Sequence, residues 1–432
     1  MAFTPDVIVV GAGPTGLLLA CRLIRMGRRV LVLEKDEVLQ PAIRALGYYG
    51  PTQYALDKAG IFETARDQGF FQLSFSWRKM IKDGRSDEKV WGDLVAAWNP
   101  WEDSDMKPGD CGYGMLCLGQ DKLRDICMEK LTMAPEYAQV LLGHSVAELV
   151  QDDNSATVTT VDTSGGRKQF SAPFVVGADG GKSTVRKLIG LTLDGYTWPY
   201  TIVAVDIYGP IYPPKGDPPI VYVLDKEHIA FFSPLRALRE DGWNLYRFTL
   251  PMAPEDVEPA VFQEKLKEKI NLLIPGKRPL DYEIKNSQPY RIHQRQVAKY
   301  RVGRTMLVGD AAHLNTPWGG LGLTTGLLDV DALGDAFELV LNEGKPDSVL
   351  DIWAQARHAV WKNIVDPMST SNQLRCLNID PDKPKEDPFF KILLERDAEL
   401  QQINQLFDKE MLTRMRELVD AEKPLGANGI RR

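Results

Sequence analysis

The chain has 432 residues, 44% hydrophobic and 26% charged, the proportions of an ordinary globular protein. Its 52 basic and 59 acidic side chains leave a net charge of −7, which argues against nucleic acid as a partner, because phosphate binding needs a basic footprint. Its 5 cysteines show no CxxC spacing and its 5 histidines no HxxxH pair, so neither a metal site nor a disulfide framework is expected and a reducing, cytoplasmic setting fits.

Val7–Val10 reads as a short apolar strand, Gly11-Ala-Gly13-Pro14-Thr15-Gly16 as a tight turn, and Leu17–Met26 as a helix that Gly27 ends. Val30–Leu33 is the next strand, with Glu34 and Lys35 at its end. Gly11 permits the turn, Gly13 lets backbone approach a pyrophosphate, and Gly16 allows close helix–strand packing. The helix N-terminus presents unpaired N–H groups to phosphate. Glu34 lies 18 residues after Gly16, where a carboxylate accepts from ribose hydroxyls and disfavours a 2′-phosphate. These glycines alone do not distinguish FAD from NAD.

Residues 71–118 are rich in Phe and Trp, and the alternation over Gln72–Trp77 suggests that the chain leaves the nucleotide domain there. Gln120 opens a helix running to about Met133, with Arg124 one turn along its face. Val140–Leu149 and Thr157–Thr163 are expected as strands of a small hairpin layer. Phe174–Gly177 returns to a buried strand, followed by Ala-Asp179-Gly180-Gly-Lys-Ser-Thr-Val-Arg186. The residues 190–300 form a second, strand-rich excursion with a charged helix over Pro254–Ile270. Met306-Leu-Val-Gly309-Asp310 is again a buried strand and turn, then Pro317-Trp318-Gly-Gly320-Leu-Gly322-Leu323-Thr324 opens a helix. The remainder, from about Asp329, is mostly helical. No apolar stretch reaches the roughly 20 residues of a membrane span, so no stable membrane insertion is expected.

Three motifs in this order, GAGPTG at 11–16, GADGGKSTVR at 177–186 and GDAAHLNTPWGGLGL at 309–323, resemble those of the aromatic-hydroxylase class of FAD-dependent monooxygenases, the class that includes 4-hydroxybenzoate hydroxylase. The resemblance covers roughly residues 5 to 360. It implies an α/β fold: a Rossmann-like FAD-binding domain with an inserted mixed-sheet substrate layer and a helical C-terminal region. Residues 1–75 with 110–190 and 301–360 would form the discontinuous FAD domain, 76–109 with 191–300 the substrate layer, and 361–432 the helical region.

The resemblance further implies roles. Gly11, Gly13, Pro14, Thr15, Gly16, Glu34 and Lys35 would hold the adenosine and pyrophosphate. Asp179 would position FAD near the site of NAD(P)H use, or serve only its own turn. Asp310 would reach ribose and pyrophosphate, or cap a turn. Arg44, Gln120 and Arg124 stand where relatives place flavin contacts, with surface arginine as the plain alternative for both arginines. Arg186 would pair with Asp179 or Asp310, or coat a helix. Pro317, Gly320, Gly322, Leu323 and Thr324 would form the flavin-ring loop, a backbone nest for negative charge. Thr324 departs from the family's asparagine, and Trp318 adds an unusually large ring. Asp329 is either the family's helix aspartate or a solvated charge.

The implied chemistry is FAD reduction by NADPH or NADH, formation of a C4a-hydroperoxyflavin with molecular oxygen, and transfer of one oxygen atom to a phenolic or other aromatic substrate. Epoxidation, oxidative decarboxylation, dearomatisation and Baeyer–Villiger oxidation are alternatives on the same scaffold. A flavin dehydrogenase or oxidase, and a non-catalytic flavin sensor, are the alternatives outside it. Substrate candidates are Tyr222, Phe232, Trp243, Tyr246 and Trp318, with Tyr200, Phe231 and Arg247 beside them; core packing is the competing role of each aromatic. They fit a bulky apolar substrate, such as a secondary metabolite. No residue is assigned as catalytic base. A monomer or homodimer is expected.

Overall fold

A computed structural model of the chain describes residues 3–39, 47–84, 87–102, 105–107, 109–235, 243–395 and 408–421. Arg44 lies outside these residues. The fold is Rossmann-like, with mixed-sheet insertions and a helical C-terminal region.

A six-stranded sheet runs in the order Ala138–Leu141, Val30–Leu33, Val7–Val10, Phe174–Gly177, Thr305–Leu307, Arg301–Val302. Its first five strands are parallel, and the last pairs antiparallel. Val7–Val10, Val30–Leu33 and Phe174–Gly177 are buried along their whole length, as the runs of Val, Leu and Ile require of strands covered on both faces. Helix Pro14–Arg25 covers one face, with Pro14 at its first turn, where a missing N–H costs nothing. Ala138–Leu141 belongs to this sheet. The expected single strand over Val140–Leu149 is therefore two, because Gly143 turns the chain at φ +69°. His144–Gln151 instead pairs in a separate three-stranded antiparallel sheet with Ala156–Asp162 and Arg167–Ala172.

The second large sheet has eight strands, among them Leu193–Gly209, Ile220–Leu224, Ala230–Pro234, Asn244–Met252 and Glu283–Val297, extended by Phe75–Lys79 and Leu94–Trp98. Its two faces carry different chemistry because side chains alternate along each strand. One face, with Val203, Val205, Val221, Phe232, Tyr246 and Phe248, packs on helix Phe262–Leu273. The other, with Trp77, Tyr222 and Phe231, meets Trp318 and helices Asp366–Asn378 and Pro388–Glu395. No helix of the described residues is long and apolar enough to cross a membrane.

Candidate functional site

The six-stranded sheet changes direction of growth between Val7–Val10 and Phe174–Gly177, and ligands in such sheets collect at the carboxyl ends of the strands there. A cleft of about 230 Å³ lies at that point, lined by Gly11, Gly13, Glu34, His144, Asp179 and Gly180 among others. The glycines divide their work. Gly11 holds φ +110°, and a Cβ there would sit 2.5 Å from the Ala178 carbonyl oxygen. A Cβ on Gly16 would sit 2.1 Å from the Gly11 carbonyl oxygen. Gly13 is different: a Cβ would meet no atom of the described residues within 4 Å, so its absence keeps the cleft open rather than the core tight. That is the cradle a pyrophosphate needs at a helix N-terminus.

Glu34 bridges this loop. One carboxylate oxygen accepts from the Ala12 N–H at 2.8 Å, the other from the Asp36 N–H at 3.0 Å. A carboxylate has about four acceptor sites, so capacity for a ribose hydroxyl is left. Lys35 stands exposed on the rim of the cleft. Thr15 sits where three segments meet: its Oγ1 is 3.1 Å from where a Gly309 Cβ would stand and 3.0 Å from that of Gly326.

Asp179 lines the cleft, yet its carboxylate is engaged locally. It accepts from the Ser183 hydroxyl and from the backbone N–H groups of Thr184 at 2.6 Å and Val185 at 3.1 Å, satisfying donors at a helix start. Arg186 is bonded to backbone carbonyls, and the Asp179 charge lies close enough to favour its protonated form. Its buried guanidinium donates to the carbonyls of Gly181 at 2.7 Å and Ala311 at 3.0 Å, tying the second motif to the third. Asp310 is exposed in the turn Gly309–Ala311, at the carboxyl end of its strand.

Asp329 is fully buried, so it is not a solvated helix charge. It accepts from His313 Nε2 at 2.7 Å, Arg357 Nε at 2.9 Å and the Gly309 N–H at 3.1 Å. Burial by itself would raise its pKa; His313 and Arg357 outweigh that and hold it below the usual carboxylate value. His313 thus anchors the loop. Arg357 also donates to the Met411 carbonyl at 2.9 Å, which brings the C-terminal segment onto the same carboxylate.

The loop before helix Leu321–Phe337 has the geometry of a nest. Gly319 and Gly320 hold φ +105° and +69°, and Gly320 caps the helix without a side-chain acceptor. The first turn of N–H groups then faces outward with the positive end of the dipole. Pro317 closes the turn by accepting from the Gly320 N–H at 3.0 Å. Gly322 and Leu323 follow, half-buried in that first turn. Thr324 is buried, and its hydroxyl donates back to the Gly320 carbonyl at 3.0 Å, so it serves its own helix.

Trp318, from this loop, packs beside Tyr222 with ring centroids 6.3 Å apart. Tyr222 meets Phe231 at 4.6 Å and stacks on Trp77 at 5.6 Å. Tyr49 closes another side, its hydroxyl donating to the Gly319 carbonyl at 3.3 Å. Burial pushes the Tyr49 phenol up to about 12 and holds that of Tyr222 well above its ordinary value, so both are neutral hydroxyls. Phe232 and Tyr246, expected with them, lie on the opposite face of the sheet. Phe232 is fully buried against Phe248 at 4.8 Å, and Tyr246 is 3% exposed. The cause is register: Tyr222 faces Phe231, while Phe232 faces Val221. Trp243 is half-buried just before strand Asn244–Met252. Gln120 and Arg124 are half-buried on helix Gln120–Thr132 and do not line the 230 Å³ cleft.

Three contributors were not anticipated: Tyr49, Gln373 with Cys376 on helix Asp366–Asn378, and the pair Phe389–Phe390 edge-on to Trp77. The apolar periodicity of Pro388–Glu395 was the signal for the last. A second cavity, of about 340 Å³, opens beside Gly181 and is lined by Arg186, Lys187, His293 and Arg295 with no carboxylate.

The FAD binding domain family matches residues 4–368. The chain is 33% identical over 389 residues to para-nitrophenol 4-monooxygenase of Pseudomonas sp. (strain WBC-3), covering 89% of this chain and 91% of that one. It is 29% identical over 388 residues to 6-hydroxy-3-succinoylpyridine 3-monooxygenase of Pseudomonas putida (strain DSM 28022 / S16), covering 90% and 93%. The crystal structure of p-nitrophenol 4-monooxygenase from Pseudomonas putida DLL-E4 superposes with a TM-score of 0.83 at 32% identity, covering 96% of this chain and 100% of that one. The chain belongs to the FAD binding domain family, among the class A FAD-dependent aromatic hydroxylases related to p-nitrophenol monooxygenases.

Proposed function

We propose that this chain is an FAD-dependent, NAD(P)H-using monooxygenase that inserts one atom of molecular oxygen into a phenolic or other aromatic small molecule. The observation that carries the reading is the loop Pro317–Gly320. It joins the cofactor side to an aromatic chamber, and its Trp318 ring lies against Tyr222. The relatives named for oxidation of a nitrophenol and a hydroxypyridine support the same class.

The residues present fit FAD. Gly13 and the start of helix Pro14–Arg25 would take the pyrophosphate, Glu34 and Asp310 the ribose and ribityl hydroxyls, and the N-terminus of helix Leu321–Phe337 the electron-rich edge of the flavin ring. When bound, FAD supplies electron storage and oxygen activation. The protein contributes orientation and exclusion of water. Trp77, Phe231 and Trp318 form flat apolar walls for a ring, and Tyr222 offers a neutral hydroxyl as hydrogen-bond donor. The cavity bearing Arg186, Lys187, His293 and Arg295 suits the phosphates of a nicotinamide donor that docks transiently beside Gly181.

The test is turnover with FAD, NADPH or NADH, a panel of phenols and isotopically labelled O₂. One labelled oxygen atom in the product per nicotinamide oxidised is expected. Nicotinamide consumption that yields hydrogen peroxide and unchanged phenol across the panel overturns the reading in favour of an oxidase.

A further inference from the structure

We propose that Gln373 is a specificity-determining residue that receives a hydroxyl group of the aromatic substrate; this rests on the monooxygenase reading and names the ligand chemistry of the same chamber. Gln373 lies on helix Asp366–Asn378, beyond residue 368 where the family match ends. That helix is seated on the flavin-ring loop. Asn372 Nδ2 is 2.6 Å from where a Gly319 Cβ would stand, and Cys376 packs in one cluster with Trp318, alongside Tyr200 and Tyr222.

The Gln373 side chain is fully buried. A buried carboxamide is costly unless both of its ends are bonded. Its Nε2 donates to the Tyr200 hydroxyl, which fixes the side chain, while its Oε1 has no partner among the described residues. A neighbouring glutamine shows what a purely structural one does. Gln294 donates to Asp366 Oδ1 at 2.8 Å and Ser369 Oγ at 3.0 Å, and accepts from the Thr316 N–H at 3.0 Å. Gln294 spends both ends holding the loop and helix together; Gln373 spends one.

The cluster that flanks it is otherwise apolar, with Ile202, Ile229 and Ile292, yet the indole N–H groups of Trp318 and Trp198 are also buried without partners among the described residues. An acceptor and two donors held in an aromatic cluster match a ring that carries a protonated hydroxyl together with an acceptor substituent. The hydroxyl would donate to Gln373 Oε1, and an indole N–H would meet the acceptor.

The experiment titrates the oxidised, FAD-loaded protein with 4-nitrophenol and with its methyl ether, 4-nitroanisole, at a pH that keeps the phenol protonated, following the flavin absorbance. Wild type is expected to prefer the phenol. Gln373→Leu should reduce that preference by about tenfold or more, because a site built to bond a hydroxyl discriminates strongly against its absence. Binding of the ether should be unchanged or tighter, with FAD content unaltered. Gln373→Met, of similar volume, should behave alike, and Trp318→Phe should weaken both nitro compounds together. Equal loss for both ligands in the Gln373 variants, an unchanged ratio, or a wild type without preference overturns the proposal. Because only binding to the oxidised protein is read, a failure of oxygen insertion in turnover would sink the functional reading and leave this result standing.

Discussion

Tyr222 and Phe232 stand on neighbouring antiparallel strands, one register step apart, and their rings point to opposite sides of the sheet. Tyr222→Phe should therefore weaken phenol binding several-fold while leaving thermal stability near wild type, since it removes one hydroxyl from the chamber. Phe232→Ala should do the reverse, costing about 3–5 kcal/mol of stability through the cavity it opens. Substrate affinity per folded molecule should not change. Paired urea melts and ligand titrations check both; a Phe232→Ala protein of normal stability and poor affinity would reverse the assignment of faces.

Gly11 and Gly13 are two residues apart and should fail in different ways. Gly11→Ala puts a methyl into the Ala178 carbonyl at a φ that disfavours it, so a loss of folded yield is expected. Gly13→Ala meets no atom of the described residues and should fold normally with FAD affinity at least about tenfold lower, about 1.4 kcal/mol. Flavin retention on gel filtration, read beside circular dichroism, separates the two.

Asp329 lies at the centre of a buried ionic network, and Asp329→Asn should destabilise the protein by about 3–5 kcal/mol at neutral pH by leaving Arg357 without its charge partner. Its folded pKa is below the ordinary value. The stabilisation it gives is therefore present above the usual carboxylate pKa of about 3.9 and is lost as pH falls through the lower folded value. Urea midpoints followed down into that range should show an acid slope in wild type that is shallower in Asp329→Asn. Identical slopes would mean that His313 and Arg357 do not set the charge of this carboxylate.

The basic cavity makes a kinetic prediction. Lys187→Ala should raise the KM for the nicotinamide donor several-fold at low ionic strength, less as salt screens the contact, and leave phenol affinity and kcat at saturating donor close to wild type. Burial, with Arg295 and Arg291, lowers the His293 pKa. A bound phosphate favours the protonated imidazole, so donor affinity should rise as pH falls, and His293→Gln should flatten that trend. A KM indifferent to both substitutions moves the donor site elsewhere.

The nucleotide-binding half was legible because its constraints are local. Gly16 and Glu34 answer to the Gly11 carbonyl and the Ala12 N–H nearby in sequence, and a glycine turn after an apolar strand is visible as a pattern; the Ala178 contact of Gly11 comes from a distant segment. The chamber was legible only in part. Tyr222 and Phe232 have the same composition signal, and only the pairing register of two strands tells them apart. Gln373 reaches the chamber from a region distant in sequence where nothing local marks a wall, whereas Phe390 carried only the apolar periodicity of Pro388–Glu395. Asp179 shows a third limit: the residue lines the cleft as its motif suggests, yet its oxygens are occupied by the helix start at Thr184 and Val185. Residue type at a motif position does not reveal which competing hydrogen bonds it satisfies.

Val175 is the register partner of Thr305, so the chain leaves the six-stranded sheet after Phe174–Gly177 and comes back through the edge strand Arg301–Val302 into the strand adjacent to the exit. Arg186 fastens the two points of exit and return by bonding Gly181 and Ala311. The intervening polypeptide is thus held like an insert between two anchored ends, and its length is unconstrained by the sheet that carries it. Such an arrangement lets the strands between Leu193 and Val297 diverge or lengthen while the six-stranded sheet keeps its geometry. Chimeras cut at these two adjacent strands should keep their flavin, with substrate preference set jointly by the exchanged Tyr222 and Phe231 and by the recipient's Trp77, Trp318 and Gln373.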